Sequence, residues 1–415
     1  MNEFRFIGAA ARNVFMPMAK KVLTRRNILH YGGGFTLIAG GLITVQAFRT
    51  GVWETGTGPA YKPWLDWNTD RSKTLMPMVR AGILASNNHN TQPWRFAVRR
   101  RSILLYADTT RALSKYDPFM RELWISLGCV IENMDITARA QGFTPTLQYA
   151  QGRLPARPGE NGLSLAAKLN VTKSRKRYLK RYAVIPSRRT NRGPYKERRV
   201  RKSFLEKLTV IGNADPDIQM KFYESGGQRQ QIDNLILSAT RDMVLDTEMM
   251  AEQRAWLRLN QDEIEKFRDG PTIDTLGLHK FSLAVAKMLP DPDPDEMDEN
   301  WFETTRNIHL GTSSAIGLFS MRDPYNKAQC IRLGRIWQKI HLICTIEHMA
   351  VQPLNQPFKM VDRELQRRQD PRNRRLIAEL IGDEKWHGAF AFRIGRAFYE
   401  ANPSPRRPAS DVVIT

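Results

Sequence analysis

Arg188, Arg189 and Arg192, interleaved with Thr190 and Asn191, are the densest candidate for chemistry in this 415-residue chain. Guanidinium forks bind phosphate oxygens bidentately, and hydroxyl and amide groups fill the remaining lone pairs. The same residues also read as a solvated basic turn, since they sit inside Lys173–Lys202, where Glu197 is the one acid. A second candidate is Ser86-Asn87-Asn88-His89-Asn90-Thr91-Gln92-Pro93. Side-chain amides and hydroxyls at this density can read donors and acceptors on a planar heterocycle. The alternative is an Asx-rich turn before a strand. A third is Gln352-Pro353-Leu354-Asn355-Gln356-Pro357, where flanking prolines stiffen the backbone and hold its amides exposed. By itself that stretch is a helix stop.

Other chemistries lack their residues. There is no glycine-rich dinucleotide or Walker-type loop, no HExxH and no GxSxG. Cys129, Cys330 and Cys344 are too few for a disulfide framework or a four-cysteine zinc site, and no pair has CxxC spacing. His341 and His348 lie seven apart with no third ligand nearby, so they read as core or helix-surface histidines. Lysine and arginine number 64 against 42 acids, a formal charge of +22. That excess invites nucleic acid or an anionic membrane as partner.

The elements that must position these loops follow from periodicity. Thr74–Ala85 has helical spacing, with Pro77 in the first turn. Trp94–Val98 and Ile103–Ala107 alternate like a hairpin turning at 99–102. A long helix fits Arg121–Gln141, stopped by Gly142, and a strand follows near Thr146–Tyr149. Leu127-Gly128 in that helix has a counterpart in Leu333-Gly334, and both helices end shortly before a proline, Pro145 and Pro353. This suggests a diverged duplication of one α+β unit joined around residues 155–200. Extra sequence at about 249–300 holds the turn Asp269-Gly270-Pro271 and an acidic stretch from Pro290 to Glu296. That stretch reads as an exposed, solvated loop, because EF-hand spacing is absent.

Near the N-terminus, Arg25-Arg26 precede an uncharged run from Tyr31 to Ala47. A basic segment followed by an apolar run is the pattern of an export signal, here of the twin-arginine type, or of a retained anchor. Export places the protein in the periplasm or on a membrane, with association through residues 28–47. A cytoplasmic enzyme with a buried N-terminal helix is the alternative.

Taken in order, these stretches resemble the nitroreductase family of flavin enzymes, and its internally duplicated Acg-like branch. The residues that carry the resemblance are His89 to Phe96, Asp117-Pro118 with Arg121-Glu122, and Arg188 to Tyr195. Asp269-Gly270-Pro271, Gln352 to Gln356 and Arg393-Ile394-Gly395-Arg396 complete it. The match spans about residues 65 to 400. It implies an α+β nitroreductase-like fold whose two fused, diverged halves form an intramolecular pseudo-dimer. Residues 1–50 would be signal or anchor and 51–70 a linker. The halves would be 71–185 and 186–400, with a lid-like insertion near 249–300, and 401–415 a disordered tail.

The resemblance also implies the cofactor and its site. Arg188, Thr190 and Arg192 would hold the FMN phosphate and ribityl chain, with Arg393 and Arg396 approaching the same phosphate. Ser86, Asn90 and Gln92 would contact the isoalloxazine or ribityl groups. Gln352, Leu354 and Asn355 would bring backbone N–H groups near flavin N5. The arginine cluster and the amide loop each occur once, so one FMN per chain is expected, in a monomer. Catalysis would rest on FMN rather than on a side-chain dyad, and no metal is expected. The implied function is an FMN oxidoreductase that uses NAD(P)H or another small donor and reduces nitroaromatic or quinone-like acceptors. Occluded FMN storage and nucleic-acid binding through 173–202 are the alternatives, and partners other than small molecules and a membrane are not expected.

Overall fold

A computed structural model describes residues 51–414, apart from 53–54, 71, 73, 155–161 and 289–292. The expected signal or anchor at 1–50 lies outside the described residues. The first half contains helices α1 (Lys62–Leu65) and α2 (Met76–Gly82), then strands β1 (Trp94–Val98) and β2 (Ser102–Asp108). Helix α3 (Arg121–Ala140) follows, then β3 (Phe143–Tyr149) and β4 (Leu163–Lys173). Helix α4 (Lys180–Ala183) and β5 (Tyr195–Lys196) lie in the connection. The second half begins with α5 (Lys202–Gly212), β6 (Ile218–Tyr223) and α6 (Gly226–Leu245). Helices α7 (Thr247–Ala255), α8 (Gln261–Phe267), α9 (Lys280–Met288) and α10 (Pro294–Thr304) follow. Then come β7 (Ala315–Met321), α11 (Lys327–Ile346), β8 (Ala350–Pro353) and α12 (Gln356–Gln366). Helix α13 (Arg372–Ile381), β9 (His387–Ala397), α14 (Ala409–Val412) and β10 (Val413–Ile414) complete the chain.

The two sheets share one strand order. In the first, β1, β2, β4 and β3 are neighbours, all antiparallel. In the second, β6, β7, β9 and β8 repeat that order, again antiparallel. A long helix precedes the third strand of each unit in chain order: α3 before β3, α11 before β8. Both helices are buried, α3 at every position from Arg121 to Ala138. A helix buried on all sides belongs at the centre of a fold.

There α3 and α11 cross at glycines. A Cβ on Gly128 would lie 2.1 Å from the Ile331 carbonyl oxygen, and one on Gly334 would lie 1.9 Å from that of Ile125. The contact is reciprocal: each glycine faces the carbonyl three residues before the other. The Cys129 thiol donates to the Gly334 carbonyl at 3.2 Å. Backbones this close exclude any side chain between them.

Three expectations need correction. The segment 51–70 is not a free linker, because Ala60, Tyr61, Trp64 and Trp67 are buried in the main core. Its tryptophans bring large apolar area that packing hides. Nor are the described residues of the tail, 401–414, disordered. β10 pairs in parallel with β1, and Arg406 and Arg407 are buried against the amide loop. Arginines that donate to buried carbonyls secure a tail whose composition looked solvated. In the acidic stretch, Pro294-Asp295-Glu296 are not loop but the first turn of α10, capped by the Asp293 carboxylate accepting from Asp295 N.

Candidate functional site

Ser86-Asn87-Asn88-His89, Thr190 with Arg192, and Gln352-Pro353-Asn355-Gln356 converge on one cavity of about 2160 Å³. Glu122, Ser126 and Cys129 of α3, Trp337 of α11 and Phe390 of β9 line it from the core. Helices α7 and α10 line it as well, through Arg254, Met297 and Trp301. Its position follows from the helix crossing, which brings α3 of one half beside loops of the other.

The charges are unevenly matched. Lys359 Nζ pairs with Glu122 Oε2 at 2.8 Å, both side chains nearly enclosed. The same ammonium lies 3.4 Å from Asn88 Oδ1. Arg192 donates to the Thr275 carbonyl at 3.0 Å and, among the described residues, has no carboxylate within 4.0 Å. Burial lowers its pKa below the ordinary arginine value. A charge held this way is stabilised by an anion placed against it. Two acceptors that line the cavity, Glu122 Oε1 and Gln356 Oε1, are buried without partners among the described residues. Gln356 also begins α12, whose dipole favours electron-rich atoms at this end.

This donor set fits the parts of FMN. Arg192 and Thr190 suit a phosphate, Trp337 and Phe390 suit a flat ring, and the two orphaned acceptors suit a ring N–H. Ser86, Gln352 and Asn355 also line the cavity. The Gln352 Oε1 accepts from Arg393 Nε at 2.7 Å, and Asn355 Oδ1 from Ala391 N at 2.9 Å.

The remaining expected contacts lie elsewhere. Arg188 is buried beside the Trp64 ring at 5.9 Å and donates to the Leu84 carbonyl at 3.3 Å. Arg189 and Arg406 approach the same ring at 4.1 and 4.7 Å. Burial, and then Arg189, push the Arg188 pKa down to about 9. Leu354 is core, and its N–H is engaged by the Ala391 carbonyl at 2.8 Å rather than free. Arg396 lies on β9 outside the cavity, half-buried, with its Nε unpartnered.

Arg393 is a fastener. It donates to Gln352 Oε1 and to the carbonyls of Ile308, His309, Asn191 and Gly193. Those five bonds match the five donors of a guanidinium, so none is left for a phosphate. Sequence placed this residue near the anion. The structure uses it to tie the arginine segment, the π-helical turn Thr305–Leu310 and β8 together.

Asn90 and Gln92 are likewise turned away. Asn90 Nδ2 donates to the carbonyls of Gly270 and Pro405, at 3.1 and 2.9 Å, and its Oδ1 accepts from Arg406. Gln92 Nε2 donates to the Arg268 carbonyl at 2.8 Å, and its Oε1 accepts from Arg407 N at 2.9 Å. His89, Asn90 and Gln92 all have positive φ, 47°, 51° and 52°. Such backbone is uncommon outside glycine. The two amides therefore brace a strained loop against the insertion and the C-terminal tail, and so aim Asn88 and His89 at the cavity. Asn90→Ala should cost about 1–2 kcal/mol of stability through loss of this bracing. Urea unfolding checks it, and a midpoint equal to wild type would show that the bracing is idle.

Sequence reasoning missed Tyr116, which also lines the cavity, together with Lys359, Trp337 and Phe390, and treated Glu122 only as part of a helix start. Lys359 had a weak signal, its place three residues after Gln356 on one helix face. The aromatic residues had none, because the turn before α3, α11 and β9, which carry them, lie far apart in sequence.

Three histidines, His309 and His341 buried and His89 half-buried at the cavity wall, share one electrostatic fate. Burial, aided by nearby arginine or lysine, holds His89, His309 and His341 well below the ordinary histidine pKa. His341 Nε2 donates to the Arg189 carbonyl at 2.9 Å. Unfolded, each would take a proton near pH 6.5; folded, each refuses it. Their contribution is complete above that pH and is lost as pH falls through it, by up to about 1.4 kcal/mol per unit for each. His341→Gln is expected to flatten the fall in unfolding free energy between pH 6.5 and 5 by about that slope. Parallel pH curves for variant and wild type would contradict this.

No protein-family model matches the sequence, and no curated protein matches it. Solved structures of nitroreductases are similar to it in fold at low identity. The FMN-dependent nitroreductase NfnB from Mycobacterium smegmatis, in complex with NADPH, is 13% identical with a TM-score of 0.35. That match covers 57% of this chain and 97% of the other. The FMN- and NADPH-dependent NfnB from a Sphigopyxis strain is 14% identical with a TM-score of 0.37, covering 57% and 99%. A nitroreductase with bound FMN from Desulfitobacterium hafniense is 10% identical with a TM-score of 0.34, covering 58% and 99%.

Proposed function

We propose that this chain is an FMN-binding oxidoreductase of nitroreductase type, reducing nitroaromatic or quinone-like acceptors with electrons from NAD(P)H or another small donor. One observation carries the reading. A cation without a carboxylate partner, Arg192, shares a cavity with an amide loop, a helix N-terminus and two aromatic walls. FMN, when bound, supplies hydride and electron transfer at N5. The protein's part is to bind, orient and enclose. Arg192 and Thr190 hold the phosphate, Asn88 and Gln356 orient polar ring edges, and Lys359 carries a proton at Nζ beside Asn88. The inserted helices keep water from the ring.

The matching strand orders and the reciprocal glycines support an ancient duplication, with one chain doing the work of a dimer and needing no second copy. Arg25-Arg26 and the run 31–47 support export and membrane association. A second reading, FMN held under a lid with little turnover, is favoured by the share of the cavity wall that the insertion contributes.

A visible spectrum of the purified protein, before and after incubation with FMN, tests the shared core of both readings. Retained flavin absorbance after gel filtration is expected. A colourless protein that cannot be reconstituted would sink them together. Steady-state oxidation of NADPH with a nitroarene then divides them, because storage predicts bound flavin without turnover even when dithionite replaces the nucleotide.

A further inference from the structure

One end of the first sheet carries a cluster of cations that the cavity does not use. The turn between β1 and β2 is Arg99-Arg100-Arg101, all exposed. Beside it, the end of β4 and the segment after it bring Lys173, Arg175, Lys176, Arg177 and Lys180, also exposed. Backbone bonds make this one surface. Val171 N donates to the Arg101 carbonyl at 2.9 Å, Ser174 N to Gly142 at 2.8 Å, and Arg177 N to Arg139 at 3.0 Å. The backbone is thus pinned while the long side chains face solvent.

None of these eight cations has a carboxylate within 4.0 Å among the described residues. Neighbouring arginines show that pairing was available: Arg139 bonds Asp135, and Arg181 bonds Glu132. Like charges crowded on one face repel one another, and the arrangement is stabilised by an anionic partner. Tyr178, 87% exposed, stands among them.

We infer that this face docks on an anionic lipid bilayer. Polybasic surfaces gain attraction for each lysine or arginine brought near charged headgroups. A tyrosine with an apolar ring and a polar tip suits the headgroup level. A single-strand nucleic-acid site would need aromatic platforms along a groove. Tyr178 is the one aromatic residue in 99–101 and 172–180. The uncharged run 31–47 of the same chain favours the bilayer further.

The test uses the full chain, so that residues 1–50 contribute equally throughout. Sedimentation with phosphatidylcholine vesicles is compared with vesicles containing phosphatidylglycerol, at low and high salt. Wild type should prefer the anionic vesicles and lose that preference in salt. The triple variant Arg175→Glu, Lys176→Glu, Arg177→Glu should bind them on the order of a hundredfold more weakly. The charge-conserving Arg175→Lys, Arg177→Lys should bind like wild type, and thermal melts check that both variants fold. Equal partitioning of wild type and the triple variant, or indifference to lipid charge, overturns the proposal. So does tighter, steeply salt-dependent binding to duplex or single-stranded DNA, which would give this face to nucleic acid.

Discussion

Gly334→Ala is expected to destabilise the protein by at least about 3 kcal/mol, the upper end of overpacking costs. The added Cβ would stand 1.9 Å from the Ile125 carbonyl oxygen and 2.9 Å from the Gly128 Cα. Neither neighbour is a flexible side chain, so relief requires α3 and α11 to separate. Both helices lie in the main core, and separation would loosen contacts along their length. Gly128→Ala should behave alike, because its Cβ would meet the Ile331 carbonyl at 2.1 Å. Gly227→Ala is the control. It lies in the first turn of α6 with nothing within 4 Å of an added Cβ. Helix propensity alone then favours alanine by roughly 0.5–1 kcal/mol. Guanidinium unfolding of the three variants gives the comparison. A Gly334→Ala midpoint equal to wild type would mean that the helices do not cross this closely.

Arg192→Ala should weaken FMN binding by on the order of ten- to a hundredfold, the range for a charge-assisted bond at an enclosed site. Arg188→Ala should leave FMN affinity within about threefold of wild type. The contrast follows from placement. Arg192 lines the cavity with no carboxylate partner among the described residues, whereas Arg188 faces Trp64 and the Leu84 carbonyl. Removing Arg188 also relieves repulsion among buried guanidinium groups, because burial and its arginine neighbours lower the pKa of Arg406 as well. Quenching of flavin fluorescence on titration with each variant measures the difference. Equal losses in both would place the phosphate near Trp64 instead.

The pattern of the chain was enough for several of its regular elements. Periodicity placed α3 within a residue of its observed ends, and it matched Leu127-Gly128 to Leu333-Gly334 before their contact was visible. Helical spacing and a terminating glycine are local signals, so sequence carries them. The same holds for the hairpin of β1 and β2, whose alternation reflects one buried face. The candidate site was legible in its loops and not in its individual atoms. Ser86, Thr190, Arg192, Gln352 and Asn355 line the cavity, while Asn90, Gln92, Arg188, Leu354, Arg393 and Arg396 do not.

Residue types at short spacing determined which stretches could hold an anion and a planar ring. Only the tertiary structure decided which side chains face the cavity. Arg393 and Arg192 have the same chemistry, and they differ in what surrounds them. Arg393 meets five acceptors contributed by Asn191, Gly193, Ile308, His309 and Gln352. Arg192 meets the Thr275 carbonyl and open space. The 401–415 tail shows the same limit. Its ordering depends on Asn90 and Gln92, more than 300 residues earlier, which donate to or accept from Pro405, Arg406 and Arg407. Hydrogen bonds across such separations leave no periodic trace. They arise because a guanidinium or an amide, once buried, must find its partners wherever the fold has brought them.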